Sequence, residues 1–413
     1  MMFELLKNNT IKTAGFDITS RGDCERLSNL ILEKTDILLS YNTLRRFFGL
    51  IPYTKPNKTT LNTLANYNGY DSFTHFISIN SYLTYWTKKE ELFNLLNENS
   101  DEIVKYVSDL NIKNPETLDL LITVCRELIH TNRMDVFLDI LNSASFNSYK
   151  FIYSEMLFYG NSVGILFRNS KQIDKNILLN KNFLEYVFSI FVDYSSLTNY
   201  YGKWCEIVIK NVSDIETLCF ARGVIQIKNY FELNAVSFNF YKNIDYTNFH
   251  PILKGRIDSI NILSNLQKGI VSNNYSFDST NNNEQNWFYF HELIFTSILS
   301  KNFNLMKAIK TVLSKHKQTV QNYNEYHQKI FDLMVLFYNY QNNKKTKITI
   351  EIEQLNASSF KYSYKNVIIL FIIILKYQSN QKNKSYYYKQ YKQYSAKLNY
   401  PLFSHDYLIN YFS

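Results

Sequence analysis

Apolar positions in this chain recur with the period of an α-helix, and the best-punctuated run of them lies between residues 24 and 76. Leu27, Leu30 and Ile31 fall at i, i+3 and i+4, which sets one apolar stripe on a first helix. A second helix opens at Ser40, whose hydroxyl can accept a bond from a free first-turn amide, and closes at Gly49. Leu44, Phe47 and Phe48 share its inward face. Pro52 and Pro56 hold a loop, after which Thr59 or Thr60 caps a third helix with Leu61, Leu64 and Ala65 inward and Gly69 at its end. Asp71 or Ser72 caps a fourth, turned inward through Phe73, Phe76 and Ile77. Ahead of these, residues 10–23 (TIKTAGFDITSRGD) read as extended or looped.

Beyond this stretch the same period predicts helix after helix. Ser81–Trp86 runs on into Lys88–Asn97, and further helices follow over Glu116–His130, Met134–Leu141, Tyr149–Tyr159, Lys181–Tyr194, Tyr200–Ile209 and Ile215–Tyr230. Ile252–Leu266, Asn286–Leu299, Leu305–His316, Tyr323–Tyr340, Lys361–Tyr377 and Tyr386–Leu398 continue the series. Lys344–Gln354 alternates like a strand (KITIEIEQ) but is read as helix from its neighbours. Trp287, Tyr323 and Lys361, each near a helix start, lie 36 and 38 residues apart, close to the interval of helix-pair repeats. The predicted fold is all-α: an N-terminal helix-turn-helix module over 1–80, then an α-solenoid of helix pairs over 81–413. The Asn-rich segment Val271–Gln285 is a predicted loop that splits the array.

The second helix carries the functional hint. Opposite its apolar face it shows Asn42 and Arg46, with Arg45 on the flank. Arg bonds guanine bidentately and Asn bonds adenine, because each presents paired groups that match a base edge in the major groove. Lys55 and Lys58, in the following loop, are placed to hold phosphates. The segments LSNLILEKT, SYNTLRRFFG and KPNKTTLNTLANYNGY resemble the lambda-repressor-like (XRE-type) helix-turn-helix family. They line up with its second helix, its recognition helix and the capped helix that follows. The resemblance implies that Ser40, Tyr41, Asn42, Arg45 and Arg46 face DNA. The array is similar in architecture to tetratricopeptide-type repeats, although no segment has the full W-x2-L-G-x2-Y pattern. Joined together, the two parts resemble the peptide-sensing regulators of Gram-positive bacteria.

Charge changes the picture in two places. Residues 1–80 carry nine Lys/Arg against seven Asp/Glu, a net +2, which is a weak electrostatic footprint for a DNA-binding unit. Residues 301–413 hold 17 Lys, no Arg and five Asp/Glu, a net +12, whereas the whole chain is +9. Near the C-terminus Lys389, Lys392 and Lys397 are interleaved with Tyr386, Tyr387, Tyr388, Tyr391 and Tyr394, the materials for stacking on a single strand. Tyr387, Tyr391 and Tyr394 also fall at i, i+4, i+7, so a Lys-coated helix packed through Tyr is the favoured alternative. Ten Gly and five Pro leave little for turn-rich β-architecture. Tyr, Phe, Asn, Lys and Ile all have A/T-rich codons, so a low-GC genome would produce their abundance without selection on function.

Other chemistry is sparse. Cys24, Cys125, Cys205 and Cys219 are far apart and read as small buried groups in a reducing compartment. The N-terminus lacks a secretory pattern, and the longest apolar run, Val367–Leu375, is too short to span a bilayer, so a cytoplasmic location with no membrane partner is expected. The seven His residues make no ligand-spaced pair, and no phosphate-binding, nucleophile-elbow or zinc signature occurs. Glu351 and Glu353 would share one side of a strand. No enzyme, cofactor or metal is expected. The sequence therefore predicts a regulator bound to double-stranded DNA, its repeats holding a peptide, a protein or a second copy of the chain. A helical-repeat scaffold without DNA binding, and a single-strand binder acting through the basic C-terminal third, are the alternatives.

Overall fold

The computed structural model describes residues 2–52, 54–97, 100–110, 115–169, 173–272, 275, 277, 283–314, 325–342, 350–356 and 364–413. All regular structure among them is helical, so the fold is all-α. The chain divides into two compact units, Met1–Ile103 and Val104–Ser413.

The first unit contains α1 (Met2–Ala14), α2 (Arg21–Thr35), α3 (Tyr41–Phe47), α4 (Lys58–Tyr67) and α5 (Phe73–Leu95). Its core joins Leu6, Cys24, Leu27, Ile31, Leu44, Phe47, Leu64 and Phe76, all essentially inaccessible, with Leu61 at the margin. The predicted inward faces are therefore the buried ones. Three boundaries differ from expectation. Residues 10–14 and 21–23 are helical, because α1 runs to Ala14 before Gly15 turns the chain and α2 opens at Arg21 behind its cap Ser20. The buried position one turn after Leu6 is Thr10, and α1 is held to α4 through Asn68, which accepts from the Thr13 hydroxyl (2.8 Å) and donates to that of Thr10 (2.9 Å). Polar tethers of this kind leave no apolar period to read. At α4 the cap is Asn57, whose side chain accepts from the Thr60 amide at 2.8 Å, in place of Thr59 or Thr60. Thr60 is itself buried. Ser40 and Ser72 cap α3 and α5 as predicted. Helix α5 passes unbroken through position 80.

The second unit begins within α6 (Ser100–Asp109) and continues with α7 (Pro115–His130), α8 (Met134–Asn142), α9 (Ala144–Ser148), α10 (Tyr153–Gly164), α11 (Lys175–Leu178) and α12 (Lys181–Phe183). Longer members follow: α13 (Tyr200–Asn211), α14 (Ile215–Phe231), α15 (Pro251–Gln267), α16 (Asn283–Leu299), α17 (Phe303–Leu313) and α18 (Glu325–Gln341). A short α19 (350–353), then α20 (Lys365–Ser379), α21 (Lys384–Leu398) and α22 (His405–Ile409) complete it. Each long helix from α13 to α18 packs on the next, and α20 packs on α21. The backbones of α15 and α16 touch at Gly255, where a Cβ would lie 2.1 Å from the Tyr289 carbonyl oxygen.

Three segments depart from the predicted pattern. Tyr149–Tyr159 is helical only from Tyr153, where α10 opens. Lys181–Tyr194 is helical only to Phe188, through a π-turn over Leu184–Phe188, because the Tyr201 hydroxyl takes the Phe188 carbonyl (2.6 Å) and buried Asp193 binds Arg168 and Tyr200. Glu351 and Glu353 lie on helix α19, so they do not share a strand face; positions 344–349 are outside the described residues, as are most of Val271–Gln285 and the positions Tyr323 and Lys361. Val367–Leu375 is interior to α20 and buried throughout. No helix among the described residues is long and apolar enough to cross a membrane. All four cysteines are free and buried, and burial pushes the Cys125 thiol up to about 12.

Candidate nucleic-acid interface

Helices α2 and α3 are joined by a short turn that starts at Asp36, in the left-handed conformation (φ 56°), and ends at the cap Ser40. Leu39 is buried in this turn and its carbonyl accepts from the buried Ser28 hydroxyl of α2. That bond fixes how α3 leaves α2. Ile37 and Leu38 point outward. At the far end Gly49, at φ +78°, lets the Leu50 amide reach back to the Arg45 carbonyl at 2.9 Å and stops the helix.

With Leu44 and Phe47 buried, the other side of α3 is presented outward, and its five candidate residues differ in how free they are. Ser40 is exposed, but its hydroxyl accepts from the Thr43 amide (3.2 Å) and meets the Thr43 hydroxyl (2.9 Å). Tyr41 is half-buried beneath the Arg21 guanidinium, 4.7 Å from its ring centre. Asn42 and Arg45 are half-buried and joined: Arg45 Nη1 donates to Asn42 Oδ1 at 3.2 Å. Arg45 Nε is buried and has no hydrogen-bond partner among the described residues. Arg46 is fully on the surface, as are Lys55 and Lys58, the latter being the first residue of α4.

The other cations of this unit are largely engaged. Lys7 pairs with Glu4 (2.7 Å) and Arg21 with Glu25 (2.8 Å), while Arg26 lies over Phe16 and Lys34 over Tyr67. Arg46, Lys55 and Lys58 make no ion pair among the described residues. Between Asp36 and Asp71 the sequence carries Arg45, Arg46, Lys55 and Lys58 and not one carboxylate. A net charge summed over the whole module hides this local run.

The C-terminal candidates lie in the second unit. Lys389, Lys392 and Lys397 are exposed on α21, whereas Tyr391 and Leu398 anchor the helix inward. Tyr387 and Tyr394 are half-buried, and Lys397 already lies over the Tyr394 ring at 5.1 Å. Tyr386 and Tyr388 remain exposed. Lys392 borders an open depression of about 630 Å³ that Thr198, Glu232, Asn399, Tyr400 and Phe403 also line.

Deep in this unit the fold brings together groups that the sequence separates. Arg256 and Glu292 form an ion pair at 2.8 Å with both side chains shielded from water. Tyr364 donates to the second Glu292 oxygen at 2.7 Å and stacks on Tyr194. His291 and His327 meet through their Nδ1 atoms at 2.9 Å. Burial, then the nearby Arg256 charge, pulls His291 down to about 3, and burial drives His327 lower as well. This is an interior polar cluster with packed helices on its sides. Among the described residues no three His, Cys, Asp or Glu side chains are grouped so as to hold a metal ion. No protein-family model, curated protein or solved structure matches the chain.

Proposed function

We propose that the first unit binds double-stranded DNA through the outward side of α3, and that the protein is a transcription regulator whose second unit holds a peptide or protein. One observation carries this reading: Arg46, Lys55 and Lys58 stand exposed, with no ion pair among the described residues, in a stretch free of carboxylates. An α-helix with its side chains is roughly 10–12 Å across, and the major groove is about 12 Å wide, so α3 can lie in it. Arg46 then reaches a guanine edge while Lys55 and Lys58 take phosphates and set the register. A carbonyl oxygen has two lone pairs, so Asn42 Oδ1 can hold Arg45 and still accept from adenine. Arg45 thus orients the amide that reads the base. The presence of α1 ahead of α2 adds the helix that the XRE-type resemblance requires.

The stacking of successive helices from α13 to α18 supports an α-solenoid reading of the second unit, a form that suits an extended peptide. For the DNA reading the test is fluorescence anisotropy of full-length protein on a labelled duplex at low salt. Arg46→Ala with Lys58→Ala is expected to weaken binding at least tenfold while helicity and melting stay those of the wild type. Absence of salt-sensitive duplex binding by the wild type would overturn the reading.

A further inference from the structure

Helix α21 sorts its tyrosines into two sets. Tyr391 is buried and Tyr387 and Tyr394 are half-buried, so these three dock the helix, whereas Tyr386 and Tyr388 stand 58% and 37% exposed. Ser385, Lys389, Lys392 and Ala396, all exposed, follow at intervals of four, three and four residues, which sets them in one line up the outward side, roughly 16 Å long. Residues three or four apart are neighbours on a helix surface, so Tyr386 adjoins Lys389 and Tyr388 adjoins Lys392. Both rings are held in place: the Gln390 amide donates to the Tyr386 hydroxyl (2.9 Å), and the Tyr388 ring meets His405 edge to face at 5.2 Å. Lys384 lies over Tyr377 and Lys397 over Tyr394, but Lys389 and Lys392 have neither an ion pair nor a ring contact among the described residues. Between Glu353 and Asp406 the sequence carries eight Lys and no carboxylate, so this side of the unit is cationic.

We infer that this side of α21 binds single-stranded nucleic acid, with Lys389 and Lys392 on neighbouring phosphates and the Tyr386 and Tyr388 rings against the bases beside them. An exposed ring next to a free cation matches one nucleotide, which offers a base face and a phosphate together. The helix presents that pair twice. A duplex keeps its base faces stacked inside and offers the rings nothing. A bilayer is entered by the apolar side of a helix, and on α21 that side, Tyr391 and Leu398, is spent in the chain's own core. An acidic polypeptide would engage the lysines without the rings. Glu232, which lines the depression next to Lys392, opposes a phosphate there. The inference stands apart from the DNA reading, which concerns the other unit.

The test is fluorescence anisotropy of full-length protein on labelled oligo(dT) and oligo(U) of about 20 nucleotides, long enough to cover one such site. Two phosphate contacts on a single strand give a log–log salt slope of about −1.4, so a fourfold rise in salt is expected to weaken binding about sevenfold. Lys389→Gln with Lys392→Gln should weaken binding at least tenfold and flatten the slope, with melting unchanged. Tyr386→Ala and Tyr388→Ala should each weaken it about fivefold or more at an unchanged slope, while Tyr386→Trp retains it and Glu232→Gln tightens it. Binding of either oligonucleotide with these effects supports the inference, and the tighter of the two identifies RNA or DNA as the strand. Arg46→Ala with Lys58→Ala should bind the single strands as the wild type does, which separates this site from the duplex reading. Absence of salt-sensitive binding by the wild type would overturn the inference, as would its loss in that first-unit variant. Loss with the lysine variant but with neither Tyr→Ala variant, or equally tight binding of polyglutamate or phosphatidylserine vesicles, would show a general polyanion surface and overturn it too.

Discussion

The proposed duplex binding is expected to depend on salt through the exposed cations. Each phosphate neutralised releases counterions, so log K falls with log salt at about −0.9 per contact on B-form DNA. Lys55 and Lys58 are the exposed phosphate candidates, whereas Arg46 meets a base edge and Arg45 is half-buried and engaged with Asn42. Two phosphate contacts give a slope of about −1.8 per bound chain, and raising salt fourfold then weakens binding about 12-fold. Lys55→Ala or Lys58→Ala each removes one contact, which brings the slope to about −0.9 and the same fourfold change to about 3.5-fold. Arg45→Met is expected to leave the slope within error of the wild type. The assay is anisotropy on one duplex at four or more salt concentrations, with circular dichroism to confirm folding. The reasoning is refuted if Arg45→Met lowers the slope as much as Lys58→Ala does, or if neither lysine affects it.

Four further outcomes are expected. Ser28→Ala, which strips the partner from the buried Leu39 carbonyl, should cost about 1–3 kcal/mol in the melting of the first unit, read by urea titration. Gly49→Ala has open space for its Cβ but a φ of +78°, so about 1–2 kcal/mol of backbone strain is expected and Gly49→Asn should recover part of it. Glu292→Gln leaves the Arg256 charge uncompensated, about 3–5 kcal/mol by thermal unfolding, while joint replacement of both partners by Met should cost much less. His291 and His327 titrate lower in the folded chain than the ordinary 6.5, so the unfolded chain binds protons first as pH falls. Their contribution is complete above about pH 6.5 and declines toward pH 3 at roughly 1.4 kcal/mol per unit for each ring; His291→Phe should flatten that decline in an acid titration.

How far the sequence could be read depended on what holds each element. Helices α3 and α5 were legible because Ser40, Gly49 and Ser72 punctuate them and apolar residues recur at helical spacing on their core faces, Asn80 of α5 being a buried exception. Helix α1 was not, since Thr10 occupies a buried position and Asn68, 58 residues away, completes its docking. The Asn57 cap was missed because several capping types stand side by side in Pro56–Thr60. In the candidate interface, residue types and outward orientation were readable from the 3.6-residue period. The Arg45–Asn42 bond, the cover of Arg21 on Tyr41 and the engagement of the other cations depend on packing. The Arg256–Glu292 pair and the His291–His327 contact each span 36 residues of sequence, and no local pattern marks either. At the C-terminus, Tyr391 had the spacing of a core residue and is buried, but the Tyr400 hydroxyl bridging the Tyr194 carbonyl and the Leu197 amide could not be foreseen.

Whether the outward side of α3 reads bases in duplex DNA is decided by selecting binders from a duplex library with a randomised core, using wild type, Asn42→Ala and Arg46→Ala in parallel, and sequencing what is retained. The wild type is expected to enrich one short site, with preference relaxed at one base pair by Asn42→Ala and at a neighbouring one by Arg46→Ala. Enrichment of the same site by all three proteins, or of no site by the wild type, would contradict it.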